Sequence, residues 1–302
     1  MTYRLPKSNY NWDLHSCVRS RPYKYSLTGI DAEKDLFPRN MTGYFDAPEI
    51  SLLPLGSQKK LLAYHLADFL DYTVTLEHTI VNPALQSMVA SPFFEKLPSK
   101  MKAQACQMYT DEGYHAYFSH CMAAEARQAF SLYLPTSEPL RIRRLSQFLP
   151  SSSKLPLPQE LLSFLKAFAS ETLISKELSA VQSTLVSAPV SNMLRDHTLD
   201  EARHCLFFCE VFSNLHHTLN LTPMISTILD LLDIFFETDK DHLAGRLRLV
   251  GVNEGNIPSL VDSASENLKS LKKERCTTPV RLFKKLGMAP SVEGLLLARG
   301  FI

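Results

Sequence analysis

The sequence contains one short motif twice, Asp-Glu-x-x-His, at residues 111–115 and at residues 200–204. The Glu and the His of each copy are three residues apart, so in a helix they lie on one face, about one turn apart. Both copies interrupt apolar residues that recur at helical spacing, which means that the polar face is also the face that the helix buries. A single copy is equally consistent with a surface helix that holds a histidine by chance. Two copies in the same kind of helix predict one shared polar centre inside a helical protein.

Two further helical series carry one inward carboxylate each. The series over residues 66–84 includes Glu77, and the series over residues 161–178 includes Glu171. Glu177 is the alternative to Glu171, but Glu171 follows the apolar spacing of its helix, so we favour Glu171. Four helices therefore direct acidic groups toward one interior.

Buried carboxylates need compensating positive charge, because a lone one costs several kcal/mol or takes up a proton. Two divalent cations would balance one carboxylate from each helix, and no Lys or Arg occupies the inward positions at the same levels. One Glu from each of two helices, with a Glu-x-x-His from each of two others, is the ligand set of di-iron and di-manganese carboxylate bundles. The pattern predicts a dinuclear metal site. The ligands that this pattern predicts are Glu77, Glu112, His115, Glu171, Glu201 and His204.

Three more polar residues accompany the motifs. His197 lies four residues before Glu201, which places it on the same helical face and favours a third imidazole ligand over a simple first-turn histidine. Asp111 and Asp200 are either solvent-facing acids or outer carboxylates that accept the second N–H of a metal-bound histidine, and we favour the second role.

The fold class expected from these patterns is all-α. The chain has only 10 glycines and no sustained alternation of apolar and polar residues, which would indicate half-buried strands. Four long helices joined by a short, a longer and a short link are typical of a ferritin-like four-helix bundle with one crossover connection. Additional C-terminal helices are expected over residues 222–248, 258–273 and 278–298. Residues 1–55 are expected to form an irregular N-terminal arm packed on a domain of residues 56–302, because they are rich in turn residues and aromatics.

The positions of Glu77, Glu171, His197 and the two Glu-x-x-His pairs resemble those of the non-haem di-iron N-oxygenases related to p-aminobenzoate N-oxygenase, over residues 55–215. In that family a ferritin-like bundle binds two irons through four Glu and three His. The resemblance therefore implies that His197 and the six residues above are all ligands of two iron ions.

The same resemblance implies an activity. Diferrous iron and O2, the co-substrate, give a peroxo-diferric species that oxidises the nitrogen of an amine to a hydroxylamine, with nitroso and nitro compounds as further products. The partners implied are a small-molecule amine and an external electron donor, and the expected setting is secondary-metabolite biosynthesis.

Composition limits the other classes of function. A net charge of +1 gives no general attraction to nucleic acid or to acidic membranes, and no apolar run is long enough to span a bilayer. The N-terminus lacks the apolar stretch of a signal peptide, and the six cysteines contain no Cys-x-x-Cys pair. We therefore expect reduced thiols and a cytoplasmic protein, with a homodimer as the oligomer.

Three alternatives remain open at this point. Other bundle oxidases, such as hydroxylases and desaturases, use related ligand sets, and so do non-catalytic ferritin-like iron-binding proteins. Zinc or manganese could also occupy a site of nitrogen and oxygen ligands. The additional His197 favours the N-oxygenase. The substrate pocket expected for an aryl or alkyl amine contains Tyr72, Tyr109, Phe164 and Phe168.

Overall fold

The computed structural model describes residues 11–20, 25–27, 34–134, 137–150, 157–181 and 186–302. These residues form helices and connecting turns, with one isolated bridge between Asp35 and Val186, so the all-α prediction is confirmed. The helices up to the end of the bundle are α1 (Trp12–His15), α2 (Cys17–Ser20), α3 (Pro48–Ser51), α4 (Leu55–Leu76), α5 (Asn82–Ala90), α6 (Ser99–Phe130), α7 (Leu140–Gln147), α8 (Gln159–Val181) and α9 (Ala188–Leu219).

The first bundle helix is interrupted by a π-helical turn, Glu77–Val81, between α4 and α5. Pro83 has no N–H to donate, and in a regular α-helix its ring would clash with the carbonyl four residues earlier. The wider turn accommodates it, and the Asn82 N–H donates to the Glu77 carbonyl five residues back. Such turns are frequent at functional sites, and this one begins at a predicted metal ligand.

The bundle core lies between two helix pairs. α4 packs against α6, α8 packs against α9, and α6 also contacts α9. Between α8 and α9, Phe164 stacks on Phe208 with ring centroids 5.9 Å apart, and Phe168 stacks on Phe212 at 4.6 Å. All four rings are fully buried, and each contributes roughly 2–3 kcal/mol of hydrophobic stabilisation by burial. An apolar aromatic wall therefore lines the interior between α8 and α9.

The C-terminal part contains more and shorter helices than the sequence predicts. They are α10 (Ile225–Ile234), α11 (Lys240–Leu249), α12 (Ile257–Ser270), α13 (Lys272–Arg275), α14 (Thr277–Lys285) and α15 (Ala289–Ala298). The helix expected over residues 222–248 is divided because Asp239 begins a new one, its side chain accepting from the His242 N–H at 3.1 Å. Among these helices, α10 and α14 pack on α8, and α11 contacts α4.

The N-terminal arm is described in part. Residues 1–10, 21–24 and 28–33 of this predicted arm lie outside the described residues, while α2 contacts α6 and α9. The boundary at residue 55 stays a prediction. All six cysteines are free thiols, and no helix in the described part of the chain combines the length and the apolar character that crossing a bilayer requires.

Candidate metal centre

Four helical segments bring the seven predicted ligands into one buried cluster. Every one of these side chains is at most 2% exposed. Their ligand atoms form three overlapping groups in which all atoms lie within 4.8 Å of one another. The groups are Glu77 with His115, His197 and Glu201; Glu112 with His115, Glu201 and His204; and Glu77 with Glu112 and Glu171. The structure therefore assembles the predicted set, and metal binding by each member stays a prediction.

The two Glu-x-x-His pairs interlock across the interface of α6 and α9. The Nδ1 atom of His115 lies 2.8 Å from Glu112 Oε2 and 3.1 Å from Glu201 Oε1. The Nδ1 atom of His204 lies 2.7 Å from Glu112 Oε1 and 3.4 Å from Glu201 Oε1. Both imidazoles thus direct Nδ1 toward the carboxylates in the centre of the cluster.

The two aspartates of the repeated motif pair with each other's histidines. His115 Nε2 lies 3.3 Å from Asp200 Oδ2, and His204 Nε2 lies 3.4 Å from Asp111 Oδ2. When Nε2–H donates outward, the Nδ1 lone pair is free for a metal, which is the usual arrangement of a ligating histidine. Burial by itself raises the pKa of Asp200, but the hydrogen bond and the charge of His115 outweigh it and lower that pKa to about 2. Asp200 is therefore ionised and able to accept.

His197 lies where its helical spacing predicts. Its Nε2 atom is 3.1 Å from Glu201 Oε1, and its ring centroid is 4.2 Å from that of His115. Burial, and then the charge of His115, lower the pKa of His197, which favours the neutral imidazole that binds metals.

The cluster contains many oxygen atoms without a partner. Neither carboxylate oxygen of Glu77 or of Glu171 has a hydrogen-bond partner among the described residues. Glu112 Oε1 and His204 Nδ1 lie 2.7 Å apart without a regularly oriented hydrogen bond. Burial lowers the pKa of His204, but the charges of Glu112 and Glu201 outweigh it and raise that pKa well above the ordinary value. Burial, followed by the charges of neighbouring glutamates, raises the pKa of Glu77 and of Glu171 well above the ordinary value. Cations between these groups would supply the missing partners, so the residues fit a metal centre.

The structure also separates Glu171 from its alternative. Glu171 Oε2 lies 3.9 Å from His204 Nδ1, inside the cluster. Glu177 instead accepts from Arg275 at 2.7 Å and from Arg141 at 3.2 Å. These two guanidinium groups already balance Glu177, which leaves Glu171 as the acid that faces the other predicted ligands.

A cavity of about 300 Å³ lies along the outer face of α4, about one and a half turns before Glu77. Of the four predicted pocket residues, Tyr72 lines it. Tyr109 is 48% exposed on α6 and lines no part of it, and Phe164 and Phe168 belong to the aromatic stacking between α8 and α9. A pocket role for these three stays a prediction.

Two cavity residues, Thr238 and Arg141, lie outside the long helices, and no local pattern in the sequence marks them. The Tyr72 hydroxyl and Thr238 Oγ1 are buried in the cavity wall without hydrogen-bond partners in the described part of the chain. The guanidinium carbon of Arg141 lies 5.4 Å from the centroid of the Tyr72 ring. Burial is the main cause that raises the pKa of Tyr72, and the charge of Arg141 acts in the opposite direction.

Comparison with known proteins agrees with this geometry. The family model of P-aminobenzoate N-oxygenase AurF matches residues 30–223. A search of curated proteins finds no match. The family match covers more than half of the chain, so the protein belongs to this family, whose fold is ferritin-like and whose members are oxygenases of the di-iron type. The resemblance and the fold class expected from the sequence are confirmed.

Proposed function

We propose that this member of the p-aminobenzoate N-oxygenase family uses two iron ions and O2 to oxidise the nitrogen of an amine. The observation that carries the proposal is the buried cluster of four carboxylates and three imidazoles, with unpartnered acceptor atoms facing one another. Imidazole and carboxylate ligands suit iron, and four carboxylates balance the charge of two divalent ions.

The chain's own residues would hold the ions and keep water away from them. Bound iron supplies the electrons that activate O2. Phe118 packs its ring 5.5 Å from His115 and 5.4 Å from His197, so an apolar side chain covers this side of the cluster. A dry wall protects a reactive oxidant from side reactions with water.

The proposed reaction requires an electron donor from outside the chain. One amine, one O2, two electrons and two protons give one hydroxylamine and one water, so one oxygen atom of O2 forms the N–O bond. Nitroso and nitro compounds would need further rounds of oxidation. The donor, the homodimer, the cytoplasmic location and the role in secondary metabolism are parts of the proposal that rest on the sequence and the family.

The cavity beside α4 is the proposed substrate site. Its apolar lining includes Phe37 and Phe69, which suits the body of an aryl or alkyl amine. The Tyr72 and Thr238 hydroxyls and the nearby Arg141 offer hydrogen-bond donors to an acceptor group on the substrate.

Isotope labelling tests the proposal. The full chain is loaded anaerobically with Fe²⁺, analysed for metal, and exposed to ¹⁸O₂ with a chemical reductant and a panel of aryl and alkyl amines. We expect about two irons per chain and one ¹⁸O atom in a hydroxylamine product. Oxygen from water in the product, or oxidation of fatty acyl chains with none of amines, would contradict the proposal.

A matched pair of variants ties the result to the cluster. Glu201→Ala removes a central carboxylate of α9, whereas Glu210→Ala removes an exposed one from the same helix. We expect the first to lose iron and activity and the second to retain both, with circular dichroism of both metal-free proteins showing whether each is folded.

A further inference from the structure

We infer that Trp12 and Ser16 are positioning residues for the metal centre, because they hold the carboxylate that orients His204. This inference rests on the proposed metal binding. It adds a role for a part of the chain that precedes residue 30, where the match to the family begins.

Asp111 receives its hydrogen bonds from residues far away in sequence. Trp12 Nε1–H lies 3.0 Å from Asp111 Oδ1 and 2.9 Å from Asp111 Oδ2. Ser16 Oγ–H donates to Asp111 Oδ1 at 2.7 Å. Oδ2, which also accepts from Trp12, lies 3.4 Å from His204 Nε2, and Asp111 is only 3% exposed.

The same short segment reaches the second motif. The Cys17 N–H donates to Asp200 Oδ2 at 3.2 Å, the oxygen that also accepts from His115. The Cys17 thiol donates to the Asp196 carbonyl at 3.2 Å, and the Arg203 guanidinium reaches the His15 carbonyl at 3.4 Å. Residues 12–17 therefore connect α6 and α9 at the outer side of the cluster.

The hydrogen bonds of Asp111 affect metal binding through His204. A ligating histidine must present the Nδ1 lone pair inward, and the carboxylate at Nε2–H selects that tautomer and ring orientation. Trp12 and Ser16 fix the carboxylate of Asp111 and cover it from solvent. Without them, water replaces the hydrogen-bond donors of Asp111, and His204 loses its fixed orientation. Metal binding must then also order His204, which weakens the affinity for the metal.

The size of the expected loss in metal affinity depends on how many hydrogen bonds separate a residue from the ligating histidine. Loss of a direct partner of a ligating histidine typically weakens metal affinity about 10- to 100-fold. Trp12 and Ser16 act one hydrogen bond further out, so we expect a loss of about 10-fold for the double variant, at the lower end of that range. Each single variant should show part of this loss.

The test uses Trp12→Phe, Ser16→Ala and their combination in the full chain. Phe keeps an aromatic ring and removes the indole N–H. Leu14→Ala is the matched control, since Leu14 lies in the same helix and is 64% exposed. Fe²⁺ affinity is measured anaerobically against a competing chelator, the ligand-field spectrum of bound Co²⁺ reports the ligand geometry, and thermal unfolding of the metal-free proteins reports folding.

We expect weaker Fe²⁺ binding and a changed Co²⁺ spectrum in the double variant, while its metal-free form, like that of Leu14→Ala, remains folded at the temperature of the titration. Wild-type affinity and spectrum in the double variant would overturn the inference and leave the proposed metal site intact. So would a weaker Fe²⁺ affinity with a wild-type Co²⁺ spectrum, because the ligand geometry would then be unchanged. A wild-type chain that binds no Fe²⁺ would overturn both.

Discussion

Glu171 and Glu177 lie six residues apart on α8, both are buried, and their replacement by glutamine should have opposite effects. Glu171 has no hydrogen-bond partner for either oxygen among the described residues and faces other carboxylates, whereas Glu177 is paired with Arg141 and Arg275. We expect Glu171→Gln to stabilise the metal-free protein and to abolish normal iron binding. We expect Glu177→Gln to destabilise the protein and to leave its iron content unchanged.

The size of the first effect depends on pH. Burial and the charges of Glu201 and Glu112 raise the pKa of Glu171, so the folded protein holds this proton more tightly than the unfolded chain does. The contribution of protonated Glu171 to the free energy of unfolding is therefore fully present below the ordinary pKa of 4.5. It is lost as the pH rises toward the raised pKa. The loss is at most about 1.4 kcal/mol per pH unit. Glutamine cannot ionise, so from about pH 6 to about pH 8 the advantage of Glu171→Gln should grow by up to about 3 kcal/mol.

The second effect follows from an unpaired charge. Removing Glu177 leaves two guanidinium groups without their carboxylate, and breaking a buried pair in this way typically costs about 3–5 kcal/mol. The side chains of Glu177 and Arg275 are 6% and 7% exposed, so solvent screens their pairing little.

Denaturant unfolding of both metal-free variants at the two pH values, monitored by circular dichroism, gives the free energies of unfolding, and Fe²⁺ titration gives the metal content. A stability gap between Glu171→Gln and wild type that does not widen with pH would refute the electrostatic reasoning. Normal iron content in Glu171→Gln, together with loss of iron in Glu177→Gln, would show that the ligand on α8 is the other acid.

Three further predictions follow from individual contacts. His197→Ala should weaken Fe²⁺ binding by at least about 10-fold, because an imidazole 3.1 Å from Glu201 is lost; an unchanged chelator competition curve would contradict a ligand role. Tyr72→Phe should raise the KM for the amine about 3- to 10-fold with a smaller change in kcat, because one hydrogen bond in the cavity contributes about 1 kcal/mol. Steady-state kinetics measures both constants. An unchanged KM would remove Tyr72 from the substrate site. Arg246→Met should lower the free energy of unfolding by roughly 2 kcal/mol, because it removes the partner of Asp68. This is less than the cost of breaking a fully buried pair, since Asp68 is 23% exposed. Denaturant titration tests this, and a change near zero would refute it.

Much of the cluster could be predicted because helical geometry is local. Residues three, four and seven positions apart share one face whatever the rest of the chain does, so spacing alone groups Glu112 with His115, and His197 with Glu201. The chemistry of buried acids then requires cations. The structure places these groups together, as their spacing predicts.

The π-helical turn at Glu77 shows where local spacing reaches its limit. The apolar spacing through residues 66–84 predicts one regular helix, although Pro83 lies within it and conflicts with regular helical hydrogen bonding. The structure resolves this conflict by widening one turn, and the Asn82 N–H bonds to the Glu77 carbonyl.

By itself, the sequence determined the helical class, the acids and imidazoles that share each face, and the need for positive charge between them, because all three depend on spacing along one helix or on the cost of burying charge. Only the tertiary structure decided that Asp111 serves His204 and Asp200 serves His115, that Trp12 and Ser16 hold Asp111, and that a cavity lies beside Tyr72. Those contacts join residues up to 99 positions apart, and no periodicity encodes which helix faces which partner.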